Sequence, residues 1–383
     1  MTRVLHIVSG NLYGGVETFV VTLARYRETC PAMDQQFAFC FDGRFAQELR
    51  AAGARVHELG AVRVRQPISI LKARKRLRDV INENQIDAVV CHMAWAYTIF
   101  APAVRAAGKS LVFWLHMATD GRHWLERWAR MTPPDLVMAP SRFVADTAAT
   151  MFPRREASVV HYAVTPPAES LRAERSRVRA EFDTPGDAIV TMQACRLEEW
   201  KGQKIHLQAL AHLRDVKGWQ CWIVGGAQRP HEVRLLESLK SEVARSGIGD
   251  RVRFVGQRAD VPRILAAADI YCQPNTGLEG LPVIFTEAFY AGLPIVTSDL
   301  GGFWEIVDET CGIRVPSGDS AAVAESLRRL IADGAERKRL GDAGRVRARS
   351  MCDPARQIEK MHRLIEGLEQ IGETDRVAAA GNL

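Results

Sequence analysis

Short apolar runs alternate along this chain with longer stretches whose apolar residues return every three or four positions. In the first half, Val4–Val8, Gln36–Phe41, Ala88–Cys91, Leu111–Leu115 and Leu136–Ala139 predict strands with no polar face. Between them Glu17–Arg27, Ile68–Asn82 and Ala96–Ala106 predict helices. Strands of this kind belong to parallel sheets covered on both sides. The rhythm breaks from Val164 to Asp187, where Pro166, Pro167 and Pro185 accompany polar, charged sequence. A linker with a short helix is expected over 166–187.

The alternation then resumes. Strands are predicted at Ala188–Gln193, Gln220–Val224, Val252–Val255, Ile270–Gln273, Ile295–Thr297 and Gly312–Val315. Helices are predicted at Lys204–Asp215, Arg234–Arg245, Val261–Ala267, Phe285–Ala291 and Ala321–Ile331. The chain therefore reads as two doubly wound, Rossmann-like α/β domains in series, over 1–165 and 188–352. In such sheets ligands bind beyond the carboxyl ends of the strands, where strand order reverses. Chemistry is expected in the strand-to-helix loops, facing each other across a cleft. A last helix near Pro354–Ile371, in the segment 353–383, is free to pack back on the first domain. The tail Glu373–Leu383 has little to bury and is expected to fray.

Composition narrows the picture. At 383 residues, with 47% hydrophobic and 25% charged residues, the chain has ample material for two cores. Its eight cysteines are scattered without a C-x-x-C pair, and several lie in strand-like runs. Buried, reduced thiols and a cytoplasmic protein are expected. No signal peptide is expected ahead of Val4–Val8, and the longest uncharged stretch, Ala88–Val104, contains His92 and Pro102 and falls short of a membrane span. The net charge of +6 sits entirely in the first half: residues 1–165 hold 21 Lys+Arg against 14 Asp+Glu, and the remainder 30 against 31. A basic lobe suits an anionic partner, such as a phosphate-bearing acceptor or the inner face of a membrane, and equally an ordinary soluble surface.

Three loops carry candidate chemistry. The first strand leads to Gly14-Gly15-Val16-Glu17, where paired glycines before a helix let backbone approach an anion or simply make a tight turn. In Ala194-Cys195-Arg196-Leu197-Glu198-Glu199-Trp200-Lys201-Gly202, two cations lie in one strand-end loop, where they converge on a diphosphate or are simply solvated. In Glu279-Gly280-Leu281-Pro282, followed by a helix carrying Glu287, Pro282 suits the first helical turn. The amides of Gly280 and Leu281 can then meet a phosphate, while a carboxylate on an apolar helix face needs donors such as sugar hydroxyls.

At these residues the sequence resembles the retaining GT-B glycosyltransferases of family 4. The block Glu279…Glu287 is similar to that family's E-x7-E motif, and Arg196 with Lys201-Gly202 to its R…KG element. Ile223-Val224-Gly225-Gly226, Val252-Arg253-Phe254-Val255-Gly256, Ala268-Asp269-Ile270 and Gly301-Gly302…Glu305 fall in the family's order. In the first half only Gly14-Gly15-Val16-Glu17 and His116, ending a strand, are similar.

The resemblance implies a role for each residue. Arg196 and Lys201 would hold the donor diphosphate, Glu287 the ribose hydroxyls and Glu279 the transferred hexose. His116 would face the sugar from the other lobe and Gly15 would lie near the phosphates. Gly225 and Gly226 would border the nucleotide, with the Gly256–Arg258 loop near the base. His116 also has a plainer reading, as a satisfied core histidine. The chain departs from the family in three places. Leu281-Pro282 stands where relatives read F-G, Met117 follows His116 in place of Asp, and His161-Tyr162-Ala163-Val164 replaces N-G-V. Pro282 has no N–H, which removes one anion contact.

The implied activity is metal-independent transfer of a hexosyl unit, with retention, from a nucleotide diphosphate sugar to an acceptor hydroxyl in bacterial envelope polysaccharide or glycolipid synthesis. A uridine donor is favoured and guanosine is its rival. No Asp-x-Asp triplet and no metal-spaced His/Cys cluster occurs, so neither a metal nor another cofactor is expected. The acceptor is saccharide or lipid-linked. Two patches could meet a membrane: the helix carrying Ile70, Leu71, Leu77, Val80 and Ile81 among Lys72, Arg74, Lys75, Arg76 and Arg78, and the stretch with Arg122, Trp124, Arg127, Trp128 and Arg130, which could equally line the acceptor cleft. The first also reads as a surface helix with its apolar face in the core. No nucleic-acid motif is present. A sugar-nucleotide epimerase on the same architecture, or a non-catalytic nucleotide-sugar-binding partner, are the competing functions.

Overall fold

The computed structural model describes residues 1–11 and 13–380, with side chains described as far as residue 368. It divides into two compact units, one of Met1–Val164 with Cys352–Leu383, the other of Thr165–Met351. In the first unit β1 (Thr2–Val8), β2 (Met33–Phe39), β3 (Arg55–Glu58), β4 (Ala88–His92), β5 (Ser110–Trp114), β6 (Leu136–Ala139) and β7 (Ala157–Val159) form one sheet in the order β3-β2-β1-β4-β5-β6-β7. Every pairing is parallel. In the second unit β8 (Ile189–Ala194), β9 (Trp219–Val224), β10 (Val252–Gly256), β11 (Ile270–Gln273), β12 (Ile295–Ser298) and β13 (Gly312–Val315) form a sheet ordered β10-β9-β8-β11-β12-β13, also parallel throughout.

Both sheets are buried on two faces, which accounts for the lack of alternation: every residue of β4, β11 and β12 is buried. Strand order reverses between β1 and β4 in one unit and between β8 and β11 in the other. The loops after β8 and β11 therefore diverge around a crevice, the place for a ligand in a doubly wound sheet. No disulfide joins the eight cysteines, and seven of them are buried. Among the described residues no helix is long and apolar enough to cross a membrane.

The segment 166–187, expected as a linker, is instead part of the second unit. It has no strand, but the helix Arg175–Glu181 is bolted to the sheet through Asp269. Arg179, almost fully buried, donates to Asp269 Oδ2 at 2.6 Å and to the carbonyls of Gly186 and Ala188 at 2.8 Å. Arg175 takes Asp269 Oδ1 at 2.6 Å, and the Val190 amide donates to Oδ2 at 2.8 Å.

The last helix, Pro354–Ala380, belongs to the first unit, where Cys30 Sγ donates to Glu359 Oε2 at 3.5 Å. It runs past Glu373, where fraying was expected, and residues 381–383 lie outside those described. A long helix, Gly334–Cys352, had no counterpart in the periodicity. Its internal glycines hid it, and they are needed for packing. A Cβ at Gly341 would stand 2.0 Å from the Gly292 carbonyl oxygen, and one at Gly344 2.3 Å from the Phe289 ring.

Removing one partner of a buried ion pair strands the other charge. Asp269→Ala is therefore expected to destabilise the second unit by about 3–5 kcal/mol, measured by chemical denaturation. A loss under about 1 kcal/mol, the worth of a surface pair, would return 166–187 to the status of a spacer.

Candidate active site

The loop after β8 is drawn onto the end of β11 by one glycine. Gly202 has φ +77°, and a Cβ there would lie 1.9 Å from the Pro274 carbonyl oxygen. The amides of Thr276 and Gly277 close the junction by donating to the Trp200 carbonyl at 2.8 and 3.2 Å. This brings Lys201 to Glu279. The ammonium, largely shielded from water, donates to Glu279 Oε1 at 2.6 Å and lies 4.3 Å from the centre of the Trp200 ring. Asn275 Nδ2 donates to Glu279 Oε2 at 2.9 Å. Behind Glu279 the backbone is clamped: Gly302 N donates to its carbonyl at 3.0 Å, and a Cβ on Gly301 (φ +61°) would come within 2.6 Å of the same oxygen.

Gly280 and Leu281 are buried, and among the described residues their amides donate to no group of the chain. Pro282 caps the helix Val283–Ala291, standing one position before its first turn. Glu287 is half-buried on that helix and has no hydrogen-bond partner among the described residues. Its surroundings desolvate it and push its carboxyl up to about 7. Glu279 and Glu287 both act electrostatically on Tyr271, and Lys201, Glu279 and Arg196 all act on Cys195. Lys201 and Glu279 thus meet at one strand junction, with Arg196 in the loop that brings Lys201 there and Glu287 on the helix that follows Glu279. Arg196 is the loosest of them: its guanidinium is 42% exposed and pairs with Glu198 Oε1 at 3.1 Å.

The glycines at the ends of β9 and β10 join the same region. Gly225 N donates to the Gly256 carbonyl at 2.9 Å, and Gly225 (φ +152°) passes so near Cys195 that a Cβ would lie 2.2 Å from its carbonyl oxygen. Gly226 is pressed against Gln257. Arg258, expected beside a nucleotide base, is used elsewhere. Its guanidinium pairs with Glu181 and Asp260, each at 2.8 Å, and these carboxylates hold it further above its ordinary pKa.

In the first unit Gly14 caps the helix Gly15–Arg25 and donates its amide to Glu17 Oε2 at 3.0 Å, which leaves Gly15 as the exposed glycine of the pair. His116, expected to face a sugar, has both ring nitrogens committed. Its Nε2 meets His92 Nδ1 at 2.9 Å and its Nδ1 meets the Tyr162 hydroxyl at 2.7 Å. His92 Nε2 in turn meets His6 Nδ1 at 3.0 Å. Burial lowers His6 and His116 to about 3 and His92 well below its usual value, so the row is neutral. The plainer reading, a satisfied core histidine, describes His116 as it stands.

Two polar rows inside the second sheet escaped sequence reasoning. Tyr271 and Gln273 on β11, followed by Asn275 in the loop after it, lead to Glu279. On β8, Gln193 Nε2 donates to the Lys201 carbonyl at 2.7 Å while its Oε1 meets His206 Nδ1 at 3.1 Å. The available signal was polar residues inside strands otherwise too apolar to need them.

Comparison with known proteins places these units. The Glycosyltransferase Family 4 model matches residues 13–166 and the Glycosyl transferases group 1 model residues 174–347. A GDP-mannose-dependent alpha-(1-6)-phosphatidylinositol monomannoside mannosyltransferase of Mycobacterium tuberculosis is 29% identical over 329 residues, 79% of this chain and 80% of that protein. The lipopolysaccharide core biosynthesis glycosyltransferase LpsE of Rhizobium meliloti is 33% identical over 168 residues, 43% of this chain and 46% of that protein. The phosphatidyl-myo-inositol mannosyltransferase of Mycobacterium leprae is 36% identical over 151 residues, 38% of either chain. In these latter two the chain spans less than half the relative's length. Among solved structures, Anabaena Alr3699/HepE in complex with UDP superposes with a TM-score of 0.82 at 22% identity, over 96% of this chain and 100% of that one. The two family models cover the two doubly wound units in chain order, and the chain belongs to the family 4, group 1 glycosyltransferases of GT-B fold.

Proposed function

We propose that this chain moves a hexosyl unit, with retention and without a divalent metal, from a nucleotide diphosphate sugar to an acceptor hydroxyl in envelope glycolipid or polysaccharide synthesis. The observation that carries this reading is the Lys201–Glu279 pair at the β8/β11 reversal, with Glu287 on the helix that follows. Breaking the bond from the sugar's anomeric carbon to phosphate leaves positive charge on the sugar and negative charge on the diphosphate. Lys201, Arg196 and the amides of Gly280 and Leu281 would stabilise that diphosphate, fixed charges and dipoles being the strongest aid to such a step. Glu279 would accept from the hexose hydroxyls and Glu287 from the ribose. The acceptor oxygen would bond to the anomeric carbon on the face the phosphate leaves, its proton passing to a departing phosphate oxygen. With both oxygens of Glu279 tied to Lys201 and Asn275, a covalent nucleophile's role is disfavoured.

Relatives matching most of the chain are named transferases, which favours transfer over epimerisation. Anabaena HepE has been solved with UDP-glucose, which supports a uridine donor. The mycobacterial relative named for GDP-mannose matches four-fifths of its length, and this favours GDP-mannose as a second reading.

The acceptor, and a peripheral membrane contact, are assigned to the first unit. On the helix Pro67–Glu83 the residues Ile70, Leu77, Val80 and Ile81 are buried in the core, while Leu71 and Ile68 are 63% and 68% exposed beside exposed Lys72 and Lys75. Two exposed aliphatics in a basic collar suit an anionic surface. The protein is expected to sediment with anionic vesicles and not with zwitterionic ones. Lys72→Glu with Lys75→Glu is expected to release it, each lysine being worth about 1 kcal/mol there. Retention of the double variant on vesicles would remove this helix from the contact.

A thermal-shift panel of nucleotide diphosphate sugars tests the donor, since a ligand of the native state raises its melting point. One nucleotide sugar is expected to stand out, and a flat panel would defeat the reading. Glu287 supplies an internal control. Burial pushes its carboxyl up to about 7 in the folded protein, from an ordinary value of 4.5, so its cost to stability grows as pH rises from about 4.5 to 7. Glu287→Gln is expected to stabilise the free protein at pH 8 by on the order of 1–3 kcal/mol, and by little near pH 4.5. The same variant is expected to lose donor affinity, and with it the rise in affinity between pH 6 and 8 that an ionising acceptor confers. A variant no more stable than the parent at pH 8, or with undiminished affinity, would contradict the assignment.

A further inference from the structure

Tyr271, Gln273 and Asn275 are completely buried, yet none has a stray polar atom. Tyr271 Oη donates to Gln273 Oε1 at 2.6 Å, Gln273 Nε2 to Asn275 Oδ1 at 2.9 Å, and Asn275 Nδ2 to Glu279 Oε2 at 2.9 Å. The direction of this chain does not depend on how the amides were oriented. Glu279 as a carboxylate only accepts, so Asn275 must present its NH2 group. Its carbonyl then faces Gln273, which must present NH2 in turn, leaving the Gln273 carbonyl for the tyrosine hydroxyl. Burial pushes Tyr271 well above its ordinary pKa, which keeps it a neutral donor. The Tyr271 oxygen also receives the Ala194 amide at 3.3 Å, so the row starts from backbone of β8.

Stability does not account for such a row. Replacing both members of a buried hydrogen-bonded pair by apolar groups of the same shape is close to neutral. What the row provides is orientation: aligned dipoles whose positive ends point at one carboxylate, each bond polarising the next. The backbone beneath it is also held, Thr297 Oγ1 donating to the Gln273 carbonyl at 2.9 Å and Ser298 Oγ to that of Asn275 at 2.7 Å. Lys201 takes one oxygen of Glu279 and Asn275 the other, which leaves each oxygen able to accept one further hydrogen bond. That arrangement fits a pair of neighbouring hydroxyls better than a single one.

We propose that Tyr271, Gln273 and Asn275 form a one-way hydrogen-bond chain that fixes Glu279 for two adjacent sugar hydroxyls, Asn275 being the positioning residue that sets grip on the sugar as distinct from the nucleotide. This rests on the donor reading given above, in which Glu279 meets the hexose. It deepens that reading by naming residues that never touch the ligand.

The test compares a nucleoside diphosphate with its sugar: UDP against UDP-glucose, or GDP against GDP-mannose should guanosine lead in the panel. Asn275→Leu keeps the size and removes the donor; Tyr271→Phe alters the far end without touching Glu279. Asn275→Leu is expected to leave nucleoside diphosphate affinity unchanged while nucleotide-sugar affinity and kcat fall on the order of tenfold. Tyr271→Phe is expected to give a smaller loss of the same kind, and the double variant no more than Asn275→Leu alone. Parallel loss for both ligands in both variants would make the row merely structural, and undiminished sugar affinity and kcat would make it irrelevant; either overturns the proposal. A parent protein that gains nothing from the sugar moiety would instead fail the donor reading itself, and the proposal with it.

Discussion

Lys201 and Glu279 meet at 2.6 Å with little water around either, and a charge pair so placed must be supported on every side to persist. The second unit is arranged to do this. Gly202 lets the β8 loop touch Pro274, the Trp200 carbonyl ties that loop to Thr276 and Gly277, and the Trp200 ring lies by the ammonium. Gly301 and Gly302 close on the Glu279 backbone from the opposite side. Buried amides then reach the pair, Gln193 from β8 to the lysine backbone and Asn275 from the loop after β11 to the glutamate side chain. The reversal of strand order makes room for a ligand, and the ion pair marks where its charge would fall.

Glu287 complements the pair by being its opposite. Among the described residues it has no hydrogen-bond partner, and burial pushes its carboxyl up to about 7. A carboxylate kept in that state costs stability and gains only when donors arrive. Beside a paired glutamate held rigidly, the contrast assigns different work to two residues of the same type. Pro282, which removes one amide from the helix entrance, leaves those of Gly280 and Leu281 unspent next to both.

Much of this was legible because buried parallel strands leave a strong mark. The runs at Ile270–Gln273 and Gly312–Val315 match β11 and β13 residue for residue, and Leu136–Ala139 matches β6. Edge strands β3 and β7 were not legible: Arg-Val-His-Glu and Ala-Ser-Val carry too little apolar sequence to stand out from loops. The helix Gly334–Cys352 was hidden by glycines that exist for close packing, and Asp269, known by its place in a family pattern, gave no sign that it anchors 166–187. Lys201 and Glu279 were found through motif spacing, but that they bind each other could not be, since opposite charges in two loops do not announce a contact. Arg258 and His116 mark the limit in the other direction. Each sits where a motif would put it, and each is satisfied by other side chains, Asp260 with Glu181 for one and His92 with Tyr162 for the other.

The central claim is that the ion pair is a resting arrangement of two ligand-binding groups. The most direct measurement is a crystal structure with an intact nucleotide diphosphate sugar bound. It is expected to show a phosphate oxygen within hydrogen-bonding distance of Lys201 Nζ and a hexose hydroxyl on Glu279. A donor bound elsewhere, with Lys201 and Glu279 still bonded only to each other and to Asn275, would contradict it.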